Sequence, residues 1–509
     1  MWRGCTGDGV RHFILLFALT GAVLAAAPVD VTAMGARGDG RTLDTAVIQK
    51  AIDAAHGAGG GVVYFPPGRF LTGTIHLKSN VTVRLSPGAT LLASPRAEDY
   101  EPRHLIYARG AENIAVEGGG VIDGNGSAFW LSSQDRPAFR PSPLIELAEC
   151  RNVRFQNVRI LDAPGWALHP ILCDGVTIRE VTIIAPMLWL NTDGIDPDSC
   201  RNVRISNCYI RAGDDCIVLK TTGRLGLPAP PCENVTVTNC VFVSSASALK
   251  LGTESHGDFR NIHFSNSVIR GSRTGLALLA KDGGVMENVH FSNITIETHP
   301  KHNRDVEWPI VIDVEKRNAN SRISTVRDVS FSDIQIRTRG RVLAAGMPAS
   351  PVERLRFVNV TVRVVGQEDI ARASKLRGGT VEKVEDVVNL GPVPAAMIFG
   401  HIRGLSLHGV RVLWDAPEAQ PRHTIYGHSI DGLVIDGFGV RRPAGGEELA
   451  VIGLDQVRDI RITGSRAGPG TDVFLGLRDV PAAEVSLADN DLRHARRERQ
   501  EGPVYVHSR

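Results

Sequence analysis

A phrase of about ten residues recurs through most of this 509-residue chain, and such a repeat limits the fold more than any other feature. It pairs a polar dipeptide with an alternating apolar run, then a polar residue and a second run. It reads RNVRFQNVRI at residues 151–160, DGVTIREVTI at 174–183 and RNVRISNCYI at 201–210. Further copies open at Glu233, Arg260, Glu287, Arg327, Glu353, Arg403, Asp431 and Arg458. Successive copies lie 23 to 32 residues apart, except for intervals of 40 after Glu287 and 50 after Glu353. Alternation with period two predicts strands that bury one face. A period near 27 is too short for a propeller blade, no 3.6-residue pattern runs through the copies, and the Leu-x-x-Leu-x-Leu ladder of leucine-rich repeats is missing. What remains is an all-β solenoid, a right-handed parallel β-helix whose coils stack about 4.8 Å apart. The longer intervals become loops at coil corners.

Residues 46–56 carry apolar side chains at helical spacing and stop at a glycine run. They predict a short N-terminal capping helix over the open end of the stack, where bare strand edges would otherwise invite aggregation. The expected organisation is a signal peptide over 1–27, an N-terminal cap segment over 28–110, the β-helix over 111–490 and a solvated tail over 491–509. Arg3 and Arg11 precede an apolar run that ends at Ala25-Ala26-Ala27, the pattern of an export signal. That run is shorter than the ~20 residues that span a bilayer. A secreted or periplasmic protein with no membrane attachment after cleavage is expected.

Aromatic residues make up 6% of the chain and the formal charge is +2, with no basic block interleaved with aromatics, so nucleic acid is not an expected partner. Seven cysteines follow the signal: Cys150, Cys173, Cys200, Cys208, Cys216, Cys232 and Cys240. Their positions fit a buried ladder of thiols, or pairing of Cys200 with Cys232 or Cys208 with Cys240. No Cys/His spacing points to zinc. A monomer is the default.

Two acidic motifs, Asn191-Thr192-Asp193 and Gly213-Asp214-Asp215, stand about one coil apart at similar offsets from repeat copies. Stacking would bring the three carboxylates to one flank, where crowding raises at least one pKa and leaves a proton donor. An acid and a base about 6.5–9.5 Å apart would suit inverting hydrolysis of a glycosidic bond. The competing reading makes such aspartates turn caps, and it is preferred for Asp196 and Asp198. Lys220 reads as a partner for a substrate carboxylate or as a surface lysine. Trp166 and His169 read as a sugar-binding wall, or as a packed ring and a turn-bonded imidazole.

These motifs, with residues 118–126 (GGGVIDGNG), Trp166-Ala167-Leu168-His169 and Gly213-Asp214-Asp215-Cys216-Ile217 in order, resemble glycoside hydrolase family 28, the polygalacturonases and their relatives acting on pectin. The resemblance covers nearly all of the expected mature chain. It implies Asp214 as general acid, Asp193 and Asp215 as the groups that position and deprotonate water, Asn191 within the site, and inversion. It implies no metal, nicotinamide or flavin. The chain departs from the family pattern at two places. Residues 244–250 (SSASALK) stand where a Gly-His-Gly motif is expected, and Ala277 and Leu279 replace the cations of an Arg-Ile-Lys motif. Lys250 and Glu254 then become candidate contacts of a remodelled subsite, and Arg273 and Lys281 flank it. The expected activity is polygalacturonase-like hydrolysis of pectic polysaccharide, with a rhamnogalacturonan hydrolase as the alternative. A β-helical lyase is less favoured because it would want a calcium cluster and an Arg or Lys base beside the acids, and a non-catalytic glycan-binding module because its grooves need no paired acids.

Overall fold

The computed structural model describes residues 27–132, 137–299, 306–366, 390–415, 422–441, 449–502 and 504. The expected signal peptide falls, but for Ala27, outside the described residues. Among those described, no helix is long and apolar enough to cross a membrane.

The chain is a right-handed parallel β-helix, and every ladder between its strands is parallel. Each repeat copy supplies two faces of a coil. Arg151–Gln156 pairs with Asp174–Arg179, which pairs with Arg201–Ser206 and then Cys232–Thr238. Arg159–Leu161, Thr182–Ile184, Tyr209–Ala212 and Val241–Ser244 stack beside them. The corner Asn explains why the phrase repeats its polar residues. Asn152, Asn202, Asn234, Asn261 and Asn288 all hold φ between 50° and 58°, a left-handed conformation that Asn tolerates and branched residues do not. Their amides also bond coil to coil, as in Asn288 Nδ2 to Asn261 Oδ1 at 2.7 Å.

Inward positions carry Val, Ile and Leu in one continuous core. Rings enter where they can stack on themselves: Phe264, Phe291, Phe331 and Phe357 form a column with centroids 5.2, 5.0 and 4.8 Å apart. All seven described cysteines are buried and free, so the pairing considered from their spacing does not form. Cys173 and Cys200 are ladder neighbours, with the Cys173 N–H 3.4 Å from Cys200 Sγ.

The helix Thr45–Gly57 buries Ile48, Ala51, Ile52 and Ala55 against the first coils. Asp44 does not cap it; its carboxylate accepts instead from the backbone N–H groups of Arg37 and Gly38. Part of the expected solvated tail is structured, since Arg497–Glu501 pairs with Val473–Arg478.

The third face of the solenoid positions the site. Its strands include Ile106–Arg109, Ile145–Ala148, Leu168–Ile171, Ile217–Thr221, Ser247–Ser255, Thr274–Ala280 and Trp308–Val314. Register fixes one outward column across it: Tyr107, Glu146, His169, Asp196, Val218 and Lys250, then Ala277, Val311, Leu343, Ile398 and Tyr426. The first six are largely polar. The last five belong to a second apolar cluster outside the coil, where Leu390, Val393 and Val504 cover them. Arg341 holds that cover down: its Nη1 donates to Gly391 O at 2.6 Å and Val393 O at 2.9 Å, and its guanidinium lies 5.0 Å from the centroid of Trp308.

Candidate active site

The bridges Leu168↔Ile195 and Ile195↔Ile217 put three coils in register. Trp166, Asp193 and Asp215 each precede their bridged residue by two positions, so they align across adjacent coils. Backbone bonds secure the alignment: the Ala167 N–H donates to Asp193 O and the Gly194 N–H to Asp215 O, both at 2.9 Å. Asp214 is the neighbour of Asp215 in sequence, and one oxygen from each of Asp193, Asp214 and Asp215 lies within 4.8 Å of the others. The acids therefore sit on one flank, closer together than the ~6.5–9.5 Å anticipated for an acid and base on opposite sides of a sugar.

The loop before Asp193 is tied to this cluster. The Asn191 N–H donates to Asp214 Oδ2 at 3.2 Å, and the Thr192 hydroxyl donates to Trp189 O at 3.0 Å. Gly213 makes the approach possible, because a Cβ there would run into Pro186 O and Thr192 Oγ1.

The three acids differ in surroundings. Asp214 is half-buried; burial and then the Asp215 charge push its carboxyl up. Asp193 is buried, and desolvation followed by the charges of Asp196 and Asp214 raises it well above the carboxylate range. Its Oδ1 has no hydrogen-bond partner. Burial also opposes ionisation of Asp215, but the Lys250 and Lys220 charges outweigh it and hold this acid below its ordinary value. Lys250 Nζ donates to Asp215 Oδ2 at 2.7 Å, and the Ser247 N–H to Oδ1 at 2.9 Å. A proton donor and an ionised acceptor thus stand side by side, titrating as a coupled set.

Asp196 belongs here as well, although the sequence favoured a turn cap. It is fully buried, neither carboxylate oxygen has a hydrogen-bond partner, and Lys220 Nζ is 3.9 Å away. Burial, against the opposing charges of Lys220 and His169, pushes it up to about 7. What sequence alone withheld was the register, which turns Asp196 outward beside His169. Asp198 does act as a cap, accepting from the Thr222 N–H at 2.9 Å and from the Thr222 hydroxyl.

Lys220 is no surface lysine. Its side chain is 5% exposed, 3.4 Å from Glu254 Oε2 and 4.5 Å from the Trp166 ring centroid. Burial would lower it, yet Glu254 and Asp196 drive it up, while Lys220 and Lys250 overcome burial to hold Glu254 near about 2. Trp166 is partly exposed and meets His169 edge-on at 5.2 Å. His169 itself is wholly enclosed, with Nδ1 3.1 Å from Glu146 Oε2 and Nε2 3.5 Å from Asp198 Oδ2. It supports Trp166 from beneath and does not reach the groove. Lys281, a flanking cation in the sequence, is fully buried and paired with Asp313 and Glu315.

The three oxygens lie at a spacing that a metal ion could also bridge, and one of them already engages a cation, since Lys250 bonds Asp215. The arrangement is a cluster of acids in unequal surroundings on the flank of a β-solenoid. Residues 62–370 match the family described as "Glycosyl hydrolases family 28", and the chain belongs to that family. A probable polygalacturonase of Vitis vinifera is 32% identical over 254 residues, 45% of this chain and 52% of its own length. One of Arabidopsis thaliana is 30% identical over 258 residues, 45% and 55% of the two chains. This chain thus spans about half the length of the curated relatives it matches. Among solved structures, a hyperthermoactive exopolygalacturonase of Thermotoga maritima superimposes with a TM-score of 0.58 at 27% identity, over 67% of this chain and 87% of the other. A family 28 exopolygalacturonase of Yersinia enterocolitica gives 0.62 at 20% identity, over 82% and 80%, and shows the shared fold.

Proposed function

We propose that this protein is an exported glycoside hydrolase that cuts pectin-type polysaccharide in its groove without a metal or organic cofactor. The observation that carries the reading is the convergence of three acids in unequal surroundings: Asp214 raised and half-buried, Asp215 ionised against Lys250, and Asp193 buried with an unpartnered oxygen. Asp214 donates its proton to the glycosidic oxygen as the bond to the anomeric carbon breaks. Asp215 takes a proton from the attacking water, which Asp193 helps to position. Trp166 offers a sugar-stacking face beside Lys220.

The relatives' names, polygalacturonase and exopolygalacturonase, support a pectic substrate. Inversion is what the family resemblance implies; the close spacing of the acids does not carry it. Incubation with pectic oligosaccharides, followed by proton NMR of the first product, tests both points. Saturated reducing ends of inverted configuration are expected. Unsaturated products absorbing in the near ultraviolet would replace hydrolysis with elimination, and retained configuration would make Asp215 a nucleophile.

A further inference from the structure

The family pattern places cations where this chain has Ala277 and Leu279, so the question is whether other cations take their place. Among the described residues around the acids, the lysines are spent on the protein's own carboxylates. Lys250 bonds Asp215 at 2.7 Å with its side chain 13% exposed, and Lys220 faces Glu254 at 3.4 Å and Asp196 at 3.9 Å. On the flanks, Arg224 pairs with Glu146 at 3.2 Å, and Arg317 grips Asp282 through Nε and Nη2 at 2.6 and 2.8 Å. The strand beyond Lys250 offers no replacement, since Ala277 pairs with Lys250 in register and is fully buried in the apolar cluster of Trp308 and Val311. Five carboxyl groups (Asp193, Asp196, Asp214, Asp215 and Glu254) thus surround two lysines, and Asp215 and Glu254, the two held low, already balance both, so a carboxylate brought by a substrate would be desolvated with neither lysine spare to receive it.

We propose that the sugar whose anomeric bond is cut is uncharged, so that the enzyme engages a pectic chain at a neutral residue and rejects a free uronate there. The inference rests on the hydrolase reading above and narrows its substrate. Arg140 and Arg273 stand at the edges of the groove. Arg140 donates to Pro164 O at 2.6 Å and Leu190 O at 2.9 Å, and Arg273 to Ser245 O at 3.3 Å.

The test compares three oligosaccharide sets of matched length: oligogalacturonides with free carboxylates, the same oligomers fully methyl-esterified, and oligomers that alternate neutral and uronate residues. Initial rates and the residue at each new reducing end are measured by mass spectrometry. The expected result is cleavage after neutral or esterified residues, with kcat/KM at least about tenfold above that for free galacturonate. Cleavage of the alternating set alone, after its neutral residue, also supports the inference. Faster or equal cutting between free galacturonates overturns it while leaving the hydrolase reading intact; no cutting of any set removes that reading and this inference with it. Glu254→Gln, which releases Lys220, should shrink the preference severalfold. An unchanged preference in that variant, or an Arg273→Gln variant that loses activity on free acids selectively, would also contradict the assignment.

Discussion

One outward column of the solenoid's third face behaves as two different materials. From Glu146 to Lys250 it carries mostly ionisable side chains beside the acid cluster; from Ala277 to Tyr426 it is apolar and roofed by Leu390, Val393 and Val504. The backbone frame is the same throughout, and the inward core does not change across the boundary. A solenoid therefore separates its two tasks by side-chain choice alone: each coil is stabilised from within, and its outer face is free to be a second core or a reaction centre. The boundary falls at one strand pairing, Lys250 against Ala277.

The largest effect belongs to the polar half. Asp214→Asn should lower kcat by about 10³-fold or more with the fold intact, checked by reducing-end release and circular dichroism. In the apolar half the effect should fall on stability instead. Trp308→Ala removes the ring beneath Arg341 and should cost about 3–5 kcal/mol in denaturant unfolding, with activity changed only a few-fold.

Lys250→Met tests the boundary residue. Lys250 helps hold Asp215 below its ordinary value, so its loss should move the acid limb of the kcat/KM profile to higher pH. Asp196→Asn should alter stability in a pH-dependent way. Asp196 lies at about 7 in the folded chain against a model-peptide value of 3.8, so its protonated form stabilises the fold at low pH and that contribution is lost as pH rises through about 7. The variant should gain on the native protein progressively between about pH 4 and pH 7, read from denaturant midpoints across that range. A chelator should change neither activity nor unfolding, because the proposed acid–base chemistry needs no metal.

The fold was legible because the repeat states its own geometry. Alternation gave the strands, the Asn of each phrase marked the left-handed corners, and the helical spacing of residues 46–56 marked the cap, which runs over Thr45–Gly57. The convergence of Asp193 with Asp214 and Asp215 was legible for the same reason, since a separation near one coil places residues on one flank. What sequence withheld depended on which way a side chain turns at a corner. Asp196 looked like a turn residue because three positions from Asp193 could lie on either face, and only the bridge at Ile195 settles it. His169 looked like a wall residue, yet the same register encloses it beneath Trp166. The roof over the apolar half was invisible for another reason: Leu390 and Val393 come from an insert that carries no repeat.

The claim that three acids act as one unit is tested most directly by replacing Asp193, Asp214 and Asp215 with Asn, singly and all together, and comparing kcat on pectic oligosaccharides. Each single variant is expected to fall nearly as far as the triple variant, because the proton donor and the water-activating pair serve one transition state. Losses that simply multiply, or a single variant that keeps near-native turnover, would mean that the three carboxylates do not share a reacting bond.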